Sequence, residues 1–68
     1  MAKNVILLSA RQKQILRLVA RAQTNKEIAA NLNISRATVK RHVERILRRL
    51  NMKNRVEVAL YAVGIRER

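Results

Sequence analysis

The 68-residue chain contains no cysteine, no proline and no aspartate, and it has one glycine, Gly64, and one aromatic residue, Tyr61. Without cysteine the chain can form no disulfide, thiolate metal site or thiol nucleophile. One His and four Glu remain, and they form no recognisable catalytic triad, carboxylate pair or metal site. We therefore expect neither an enzyme nor a protein that holds a metal or cofactor. The scarcity of proline and glycine favours an all-α fold.

Long hydrophobic runs are also missing, because no segment approaches the roughly 20 apolar residues of a membrane span. The run "NVILLSA" (4–10) is short and only Lys3 precedes it as a cation, so a signal peptide is not expected. These features predict a cytoplasmic protein with no membrane partner.

Positive charge, in contrast, is abundant: 16 Lys and Arg stand against 4 acidic residues, a formal net charge of +12. This excess is greater than solubility requires and favours binding to a polyanion. The segment "RATVKRHVERILRRL" (36–50) places six of these cations around a single carboxylate, Glu44. Charge alone leaves three explanations for this segment: a phosphate backbone, an anionic membrane, or solubility.

Four helices are predicted, at about 10–22, 25–32, 36–50 and 55–63. Each has a start signal of its own: Ser9, Thr24, Ser35 and Asn54. Gln12 and Glu27 stand three residues after the first two signals and complete capping boxes, while Gly64 is placed to end the fourth helix. Apolar residues recur at helical spacing in all four. We expect a four-helix bundle that forms a single domain over 1–68, with residues 1–8 as an N-terminal arm in which 5–8 could be extended.

The joint between the second and third helices is the most informative local pattern. In "EIAANLNIS" (27–35) one short helix ends at Leu32, Asn33 and Ile34 make the turn, and Ser35 begins the next helix. Asn tolerates the left-handed conformation of such a turn, and Ala29 is small where two helices would cross closely. This layout is that of a helix-turn-helix, whose second helix enters the DNA major groove.

Four stretches resemble the LuxR-type (GerE-like) DNA-binding domain of bacterial transcription regulators: "LSARQKQIL" (8–16), "TNKEIAANLNIS" (24–35), "TVKRH" (38–42) and "ILRRLNMKNRVEVA" (46–59). The resemblance implies a helix-turn-helix domain that reads DNA with helix three and dimerises through helix four. It also implies a position behind a receiver or ligand-binding module. Region four of bacterial sigma factors has a related architecture but usually lacks "NKEIA" and the His after "TVK".

The chain departs from the family pattern at several positions. Gln12 and Gln14 stand where the family commonly has Glu, which removes negative charge and should raise nonspecific DNA affinity. Ala22 stands where the family favours Gly, so the left-handed turn after helix one is unfavourable on steric grounds. Asn51 also replaces a frequent Gly.

Four residues on the outward face of helix three are predicted to read base edges: Ala37, Lys40, Arg41 and Glu44. This face lies opposite Val39 in the N-terminal half of the helix, the half that meets bases in helix-turn-helix docking, and the resemblance points to the same positions. Glu44 can accept a hydrogen bond from cytosine N4. Its alternatives are a solvated pair with Lys40 or Arg48 and a role in orienting Arg41 or Arg45.

A second set is predicted to contact DNA phosphates: Thr24, Lys26, Arg36, Thr38, His42, Arg45 and Arg48. The free N–H groups and the dipole at the start of helix two favour an anion there, although Thr24 is also explained as a cap alone. The resemblance implies that Thr38 and His42 face the DNA backbone or support helix three. A structural role is the alternative for His42, and a merely solvated one for Arg45.

Helix four carries two apolar stripes, which a surface helix of a monomer does not need. The inner stripe is assigned to Val56, Ala59, Leu60 and Val63. The second stripe is predicted to be a dimer interface and consists of Val58, Tyr61, Ala62 and Ile65. Dimerisation there would place two reader helices about one DNA turn apart on an inverted repeat. In free solution we expect mostly monomer, because the charges of the two copies repel.

The sequence therefore predicts sequence-specific double-stranded DNA binding by a bacterial, nucleoid-associated transcription regulator, with no small-molecule ligand in this domain and RNA polymerase as a further candidate partner. A sigma-factor region-four-like promoter-binding module is the first alternative. A cationic membrane-binding peptide is less favoured, because it needs neither caps nor a two-residue turn and lacks bulky aromatic anchors. RNA binding has no aromatic platform for stacking bases.

Overall fold

The computed structural model describes residues 7–66, with the side chains described as far as Gly64. Four helices follow one another: α1 (Ala10–Ala20), α2 (Asn25–Leu32), α3 (Arg36–Arg49) and α4 (Arg55–Arg66). No strand occurs between residues 7 and 66, and the predicted all-α, four-helix architecture is confirmed. None of the described helices has both the length and the apolar character needed to cross a membrane.

The start of α1 follows the local rule that the sequence predicts. Ser9 Oγ accepts a hydrogen bond from the Gln12 backbone N–H at 3.1 Å, and the Ser9 N–H donates to Gln12 Oε1 at 2.9 Å. Gln12 is buried, so its amide oxygen supplies this bond without placing a charge beneath the helix. At α4, Asn54 Oδ1 accepts from the Glu57 N–H at 3.0 Å, while Glu57 Oε1 accepts from the Lys53 N–H at 3.2 Å.

Three helix ends use a left-handed residue that is not glycine: Ala22 (φ 62°), Asn33 (φ 57°) and Asn51 (φ 54°). After α1, the Ala22 N–H donates to the Val19 carbonyl (2.9 Å) and the Gln23 N–H to the Leu18 carbonyl (3.1 Å), which is the Schellman pattern. Ala22 therefore adopts the turn that its side chain disfavours, because these two bonds satisfy carbonyls that the end of α1 leaves open.

The core is aliphatic and draws on all four helices, on Leu8 before α1 and on Leu50 after α3. Its buried members are Leu8, Ile15, Leu16, Val19, Ile28, Ala29, Val39, Val43, Ile46, Leu50, Val58 and Ala62. The largest fully buried side chains come from α1, α2, α3 and α4 and meet in one cluster. α1 packs most extensively on α4, and α2 on α3, so the helix-turn-helix is held against a two-helix support.

The predicted faces of α4 are wrong. Val58 and Ala62, predicted to form a dimer interface with Tyr61 and Ile65, are 1 % and 5 % exposed and belong to the core. Tyr61 is half-buried, and the side chain of Ile65 lies outside the described residues. Because both apolar stripes of α4 have the same helical spacing, periodicity does not indicate which of them faces the core.

Two of the four residues predicted to face inward, Val56 and Leu60, point outward instead. Val56 and Leu60 are 66 % and 68 % exposed, while Ala59 and Val63 are half-buried. Gly64 was predicted to end α4, but the helix continues to Arg66, and Gly64 has no positive φ. A Cβ at Gly64 would meet no atom within 4 Å, so neither backbone geometry nor packing requires glycine at this position.

The described part of the N-terminal arm consists of Leu7 and Leu8. The Leu8 side chain is buried in the core and Leu7 is exposed, within a short turn rather than an extended strand. Arg49 Nη1 donates to the Leu7 carbonyl at 2.7 Å, which ties this turn to the end of α3. The rest of the predicted arm, residues 1–6, lies outside the described residues.

Candidate nucleic-acid interface

The turn between α2 and α3 has helix-turn-helix geometry. Asn33 takes the left-handed conformation (φ 57°, ψ 47°), and the Ile34 N–H donates to the Ala29 carbonyl at 3.0 Å. Ser35 then begins α3, since its Oγ accepts from the Thr38 N–H at 3.1 Å. Ala29 and Val39 are both buried where the two helices pack, so the small residue allows the close crossing that this motif needs.

α3 has one buried and one exposed face. Val39, Val43 and Ile46 are buried within the helix, and Leu50 continues this stripe at its end. All four predicted base readers, Ala37, Lys40, Arg41 and Glu44, are exposed on the other side. The structure therefore leaves these side chains accessible, and the fold supports this part of α3 from behind.

The Glu44 carboxylate has no hydrogen bond or ion pair with any residue that the structure describes. The predicted alternative of an intrahelical pair with Lys40 or Arg48 is not formed. An exposed carboxylate surrounded by six cations of its own helix is thus left available to a donor outside the chain.

The start of α2 combines a cap with two open backbone donors. Thr24 Oγ1 accepts from the Glu27 N–H at 3.1 Å, and Glu27 Oε1 accepts from the Thr24 N–H at 2.8 Å. The N–H groups of Asn25 and Lys26 have no acceptor among the described residues. Lys26 is exposed beside them. An anion at this end could therefore receive two backbone donors and one ammonium group, against the opposing charge of Glu27.

Thr38, a predicted phosphate contact, is already engaged at the start of α3. Its hydroxyl lies 2.9 Å from Ser35 Oγ, and its side chain is half-buried. This bond supports the Ser35 cap. The predicted alternative for Thr38, support of helix three, therefore fits the structure at least as well as a phosphate contact.

His42 is half-buried, and its Nδ1 atom is buried without a partner among the described residues. Burial lowers the pKa of His42, and the positive charges of Arg45, Arg11 and Arg41 lower its pKa further. Arg11 lies in the first turn of α1 and was not among the predicted phosphate contacts. Its effect on the pKa of His42 indicates that α1 places a cation near α3. No pattern in the sequence predicts this proximity.

Arg45, Arg48 and Arg49 are exposed in the second half of α3 and line a shallow open hollow of about 390 Å³. Arg36, at the other end of the helix, is also exposed. The structure thus leaves the three predicted phosphate contacts of this group, Arg36, Arg45 and Arg48, accessible. Arg49 differs from them because one of its guanidinium nitrogens donates to the Leu7 carbonyl.

Arg55 is a second residue that the sequence did not single out. It lies at the start of α4, yet its Nη1 donates to Asn25 Oδ1 and its Nη2 to the Gln23 carbonyl, both at 2.5 Å. These bonds join α4 to the residues on either side of Thr24. The sequence "NRVEVA" (54–59) contributes to the family resemblance but predicts no role for Arg55.

A comparison with protein-family models gives the decisive match. The model described as "Bacterial regulatory proteins, luxR family" (GerE) covers residues 7–62, from the turn before α1 into α4. The chain belongs to the luxR family. This assignment confirms the predicted resemblance and makes the chain a DNA-binding helix-turn-helix domain of a transcription regulator, not an enzyme.

The luxR-family chain is also similar to several curated transcription regulators. It is 50 % identical over 58 residues to "Putative HTH-type transcriptional regulator YhjB" and 41 % identical over 59 residues to "Nitrate/nitrite response regulator protein NarL", both of Escherichia coli strain K12. It is 46 % identical over 56 residues to "Uncharacterized transcriptional regulatory protein YhcZ" of Bacillus subtilis strain 168.

These matches cover 85 %, 87 % and 82 % of the chain but only 29 %, 27 % and 26 % of the three relatives. The chain therefore corresponds to less than a third of each of these longer regulators. The similarity concerns the DNA-binding part described above.

Proposed function

We propose that this luxR-family domain binds double-stranded DNA at specific sequences by inserting the N-terminal half of α3 into the major groove. The observation that carries the proposal is the face formed by Ala37, Lys40, Arg41 and Glu44, which is exposed and backed by the buried residues of the same helix. Helix-turn-helix proteins read bases with this half of the second helix.

The chemistry of these side chains suits base recognition. Arg41 can donate bidentately to guanine O6 and N7, worth about 1–3 kcal/mol of discrimination, and Lys40 can donate to the same atoms. Glu44 can accept from cytosine N4 but would repel a phosphate, so its position among cations is explained by reading rather than by attraction to the backbone. Ala37 can contact a thymine methyl group.

The proposed phosphate contacts surround this reading face. Lys26 and Thr24 stand at the start of α2, where two backbone N–H groups are open, and Arg36, Arg45 and Arg48 are exposed along α3. Thr38 and His42 are half-buried members of the same set. Each cation that neutralises a phosphate releases counterions, so these contacts make affinity strongly dependent on salt.

We also propose that two copies bind an inverted repeat and meet through α4. The contact surface is the outward stripe centred on Val56 and Leu60, with the half-buried Ala59 and Val63 beside it. This assignment replaces the predicted interface, of which Val58 and Ala62 are buried in the core. One short apolar stripe opposed by a net charge of +12 on each copy favours association on DNA, where phosphates neutralise the repulsion.

The whole regulator, of which this domain is a part in its relatives, would act at promoters on the bacterial nucleoid. RNA polymerase would be its partner in that setting. These proposals extend the family assignment from DNA binding to the site of action.

A binding-site selection on random duplex DNA tests the proposal, because the motif, its symmetry and its half-site spacing emerge together. The wild-type protein should select an inverted repeat with half-sites about one helical turn apart. Glu44→Ala should select a motif altered at one position of each half-site. Identical motifs for the two proteins would contradict the reading role of Glu44, and no enriched motif at all would contradict sequence-specific binding.

A further inference from the structure

Arg55 makes side-chain contacts with residues that are distant from it in the sequence. Its two terminal nitrogens donate to Asn25 Oδ1 and to the Gln23 carbonyl, 30 and 32 residues away. Arg55 is half-buried, and so are both residues that it binds. The contact is therefore partly shielded from solvent.

The geometry uses the shape of the guanidinium group. Its two nitrogens reach two acceptors that flank Thr24, one on the loop after α1 and one on the first residue of α2. A planar fork of this kind fixes direction as well as distance, whereas the three N–H groups of a lysine ammonium rotate about one nitrogen. The segment from Gln23 to Asn25 is thus held from both sides of the α2 cap.

We infer that Arg55 is a positioning residue that fixes the start of α2, and with it Thr24 and Lys26, for contact with the DNA backbone. This inference rests on the phosphate contact proposed above for the same end of α2. Arg55 itself points into the protein and does not touch DNA. It acts by setting where the open N–H groups of Asn25 and Lys26 point.

The placement also joins two surfaces of the domain. Arg55 precedes Val56, the first exposed residue of the proposed α4 interface, by one position. The same side chain that begins α4 therefore holds the end of α2 that faces phosphate. Displacement of the first turn of α2 would misdirect Lys26, an exposed residue that is not part of the core.

The test compares the effect of Lys26→Ala in different backgrounds by fluorescence anisotropy with duplex DNA over a range of salt concentrations. In the wild type, Lys26→Ala should reduce the slope of log affinity against log salt by about 0.9, the value for one phosphate. In the Arg55→Ala background, Lys26→Ala should change the slope no further. An undiminished effect of Lys26→Ala in Arg55→Ala would overturn the inference.

Lys53→Ala is the matched control. Lys53 is exposed and stands two residues before Arg55, so this substitution removes the same formal charge nearby. The hydrogen bond from the Lys53 backbone N–H to Glu57 Oε1 can still form in the variant. The effect of Lys26→Ala should be full in this background. Its loss in Lys53→Ala would attribute the result to charge rather than to positioning, which also overturns the inference.

Two variants keep the test decisive if Arg55→Ala does not fold. Arg55→Lys retains the charge but lacks the fork, and Asn25→Ala removes one acceptor and leaves Arg55 in place. The effect of Lys26→Ala should shrink in both. A full effect in both backgrounds would reject the positioning role.

Amide chemical shifts separate failure of this inference from failure of the proposed function. In Arg55→Lys, the Asn25 side-chain amide and the Lys26 backbone amide should shift well beyond their values in Lys53→Ala. Unchanged shifts would show that Arg55 does not hold α2. If Lys26→Ala has no effect on DNA binding in the wild type, the phosphate contact and the DNA role of Arg55 both fail, while altered shifts would still identify the contact itself.

Discussion

Val58 and Leu60 stand two residues apart on α4 and point in opposite directions, since Val58 is 1 % exposed and Leu60 is 68 % exposed. Val58 therefore stabilises the protomer by packing in the core, where α4 meets α1, and Leu60 is available to a partner. A contiguous apolar surface of this kind is typical of an interaction site. The two positions can be tested separately because substitution at each should change a different measurement.

We predict that Leu60→Ser weakens dimerisation on DNA and leaves folding nearly unchanged. An exposed side chain outside the core should alter the free energy of unfolding by no more than about 0.5 kcal/mol. Analytical ultracentrifugation with an inverted-repeat duplex should show mainly one protomer per duplex at concentrations where the wild type binds as two.

Val58→Ala is the control for this prediction. Removal of two buried methyl groups should lower the free energy of unfolding by about 2 kcal/mol, measured by urea denaturation. Persistent dimers of Leu60→Ser on DNA at wild-type concentrations would refute the assignment of this face.

The second prediction concerns Ala22. Its left-handed conformation at φ 62° carries a steric penalty of roughly 1–2 kcal/mol for an L-residue, which glycine avoids at an entropic cost of about 0.5–1 kcal/mol. Ala22→Gly should therefore raise the free energy of unfolding by about 0.5–1 kcal/mol, which corresponds to a rise in Tm of a few degrees in a domain of this size.

Asn51→Gly provides the comparison, because Asn51 occupies the same conformation at φ 54°. Asn visits the left-handed region more readily than Ala, so the gain in Tm should be smaller than for Ala22→Gly. An equal or larger gain at Asn51 would show that steric strain at Ala22 is not the cause.

The third prediction is a pH dependence of stability through His42. Its pKa in the folded protein lies below the ordinary value of 6.5, first because of burial and then because Arg45, Arg11 and Arg41 are near. Between that lowered pKa and about 6.5 the unfolded chain binds more protons than the folded one, so stability falls as pH falls through this window. Above about 6.5 the contribution of His42 is constant.

Urea denaturation midpoints between pH 5 and pH 7.5 measure this effect. The chain has one His, so His42→Gln should flatten the profile in this range. A wild-type profile that is already flat, or one whose slope survives in His42→Gln, would disprove the prediction.

The fourth prediction separates phosphate contacts from base contacts. Lys26→Ala should weaken binding to all duplex sequences by a similar factor and reduce the salt slope by about 0.9. Glu44→Ala should change the ranking of sites and leave the slope almost unchanged, since Glu44 neutralises no phosphate. Arg17→Ala, an exposed cation on α1 outside the proposed interface, serves as the control for general loss of charge. A Lys26→Ala effect confined to one sequence would argue against a phosphate contact.

The sequence by itself determined the four helices, their starts and the exposed face of α3. Capping boxes and the turn at Asn33 depend on residues within five positions of one another, and α3 has a single apolar stripe, so its faces follow from period alone. The same local signals and the conformity to the luxR pattern were sufficient to predict the DNA-binding class.

Only the tertiary structure decided how α4 is turned, that the Glu44 carboxylate has no partner among the described residues and that Arg55 contacts the start of α2. α4 has two apolar stripes with the same spacing, and the buried one, with Val58 and Ala62, is set by packing against α1. Arg55 and Asn25 are 30 residues apart, and no periodicity or motif relates them. Contacts of this kind arise when helices dock, because docking sets which side chains meet, and the local sequence does not.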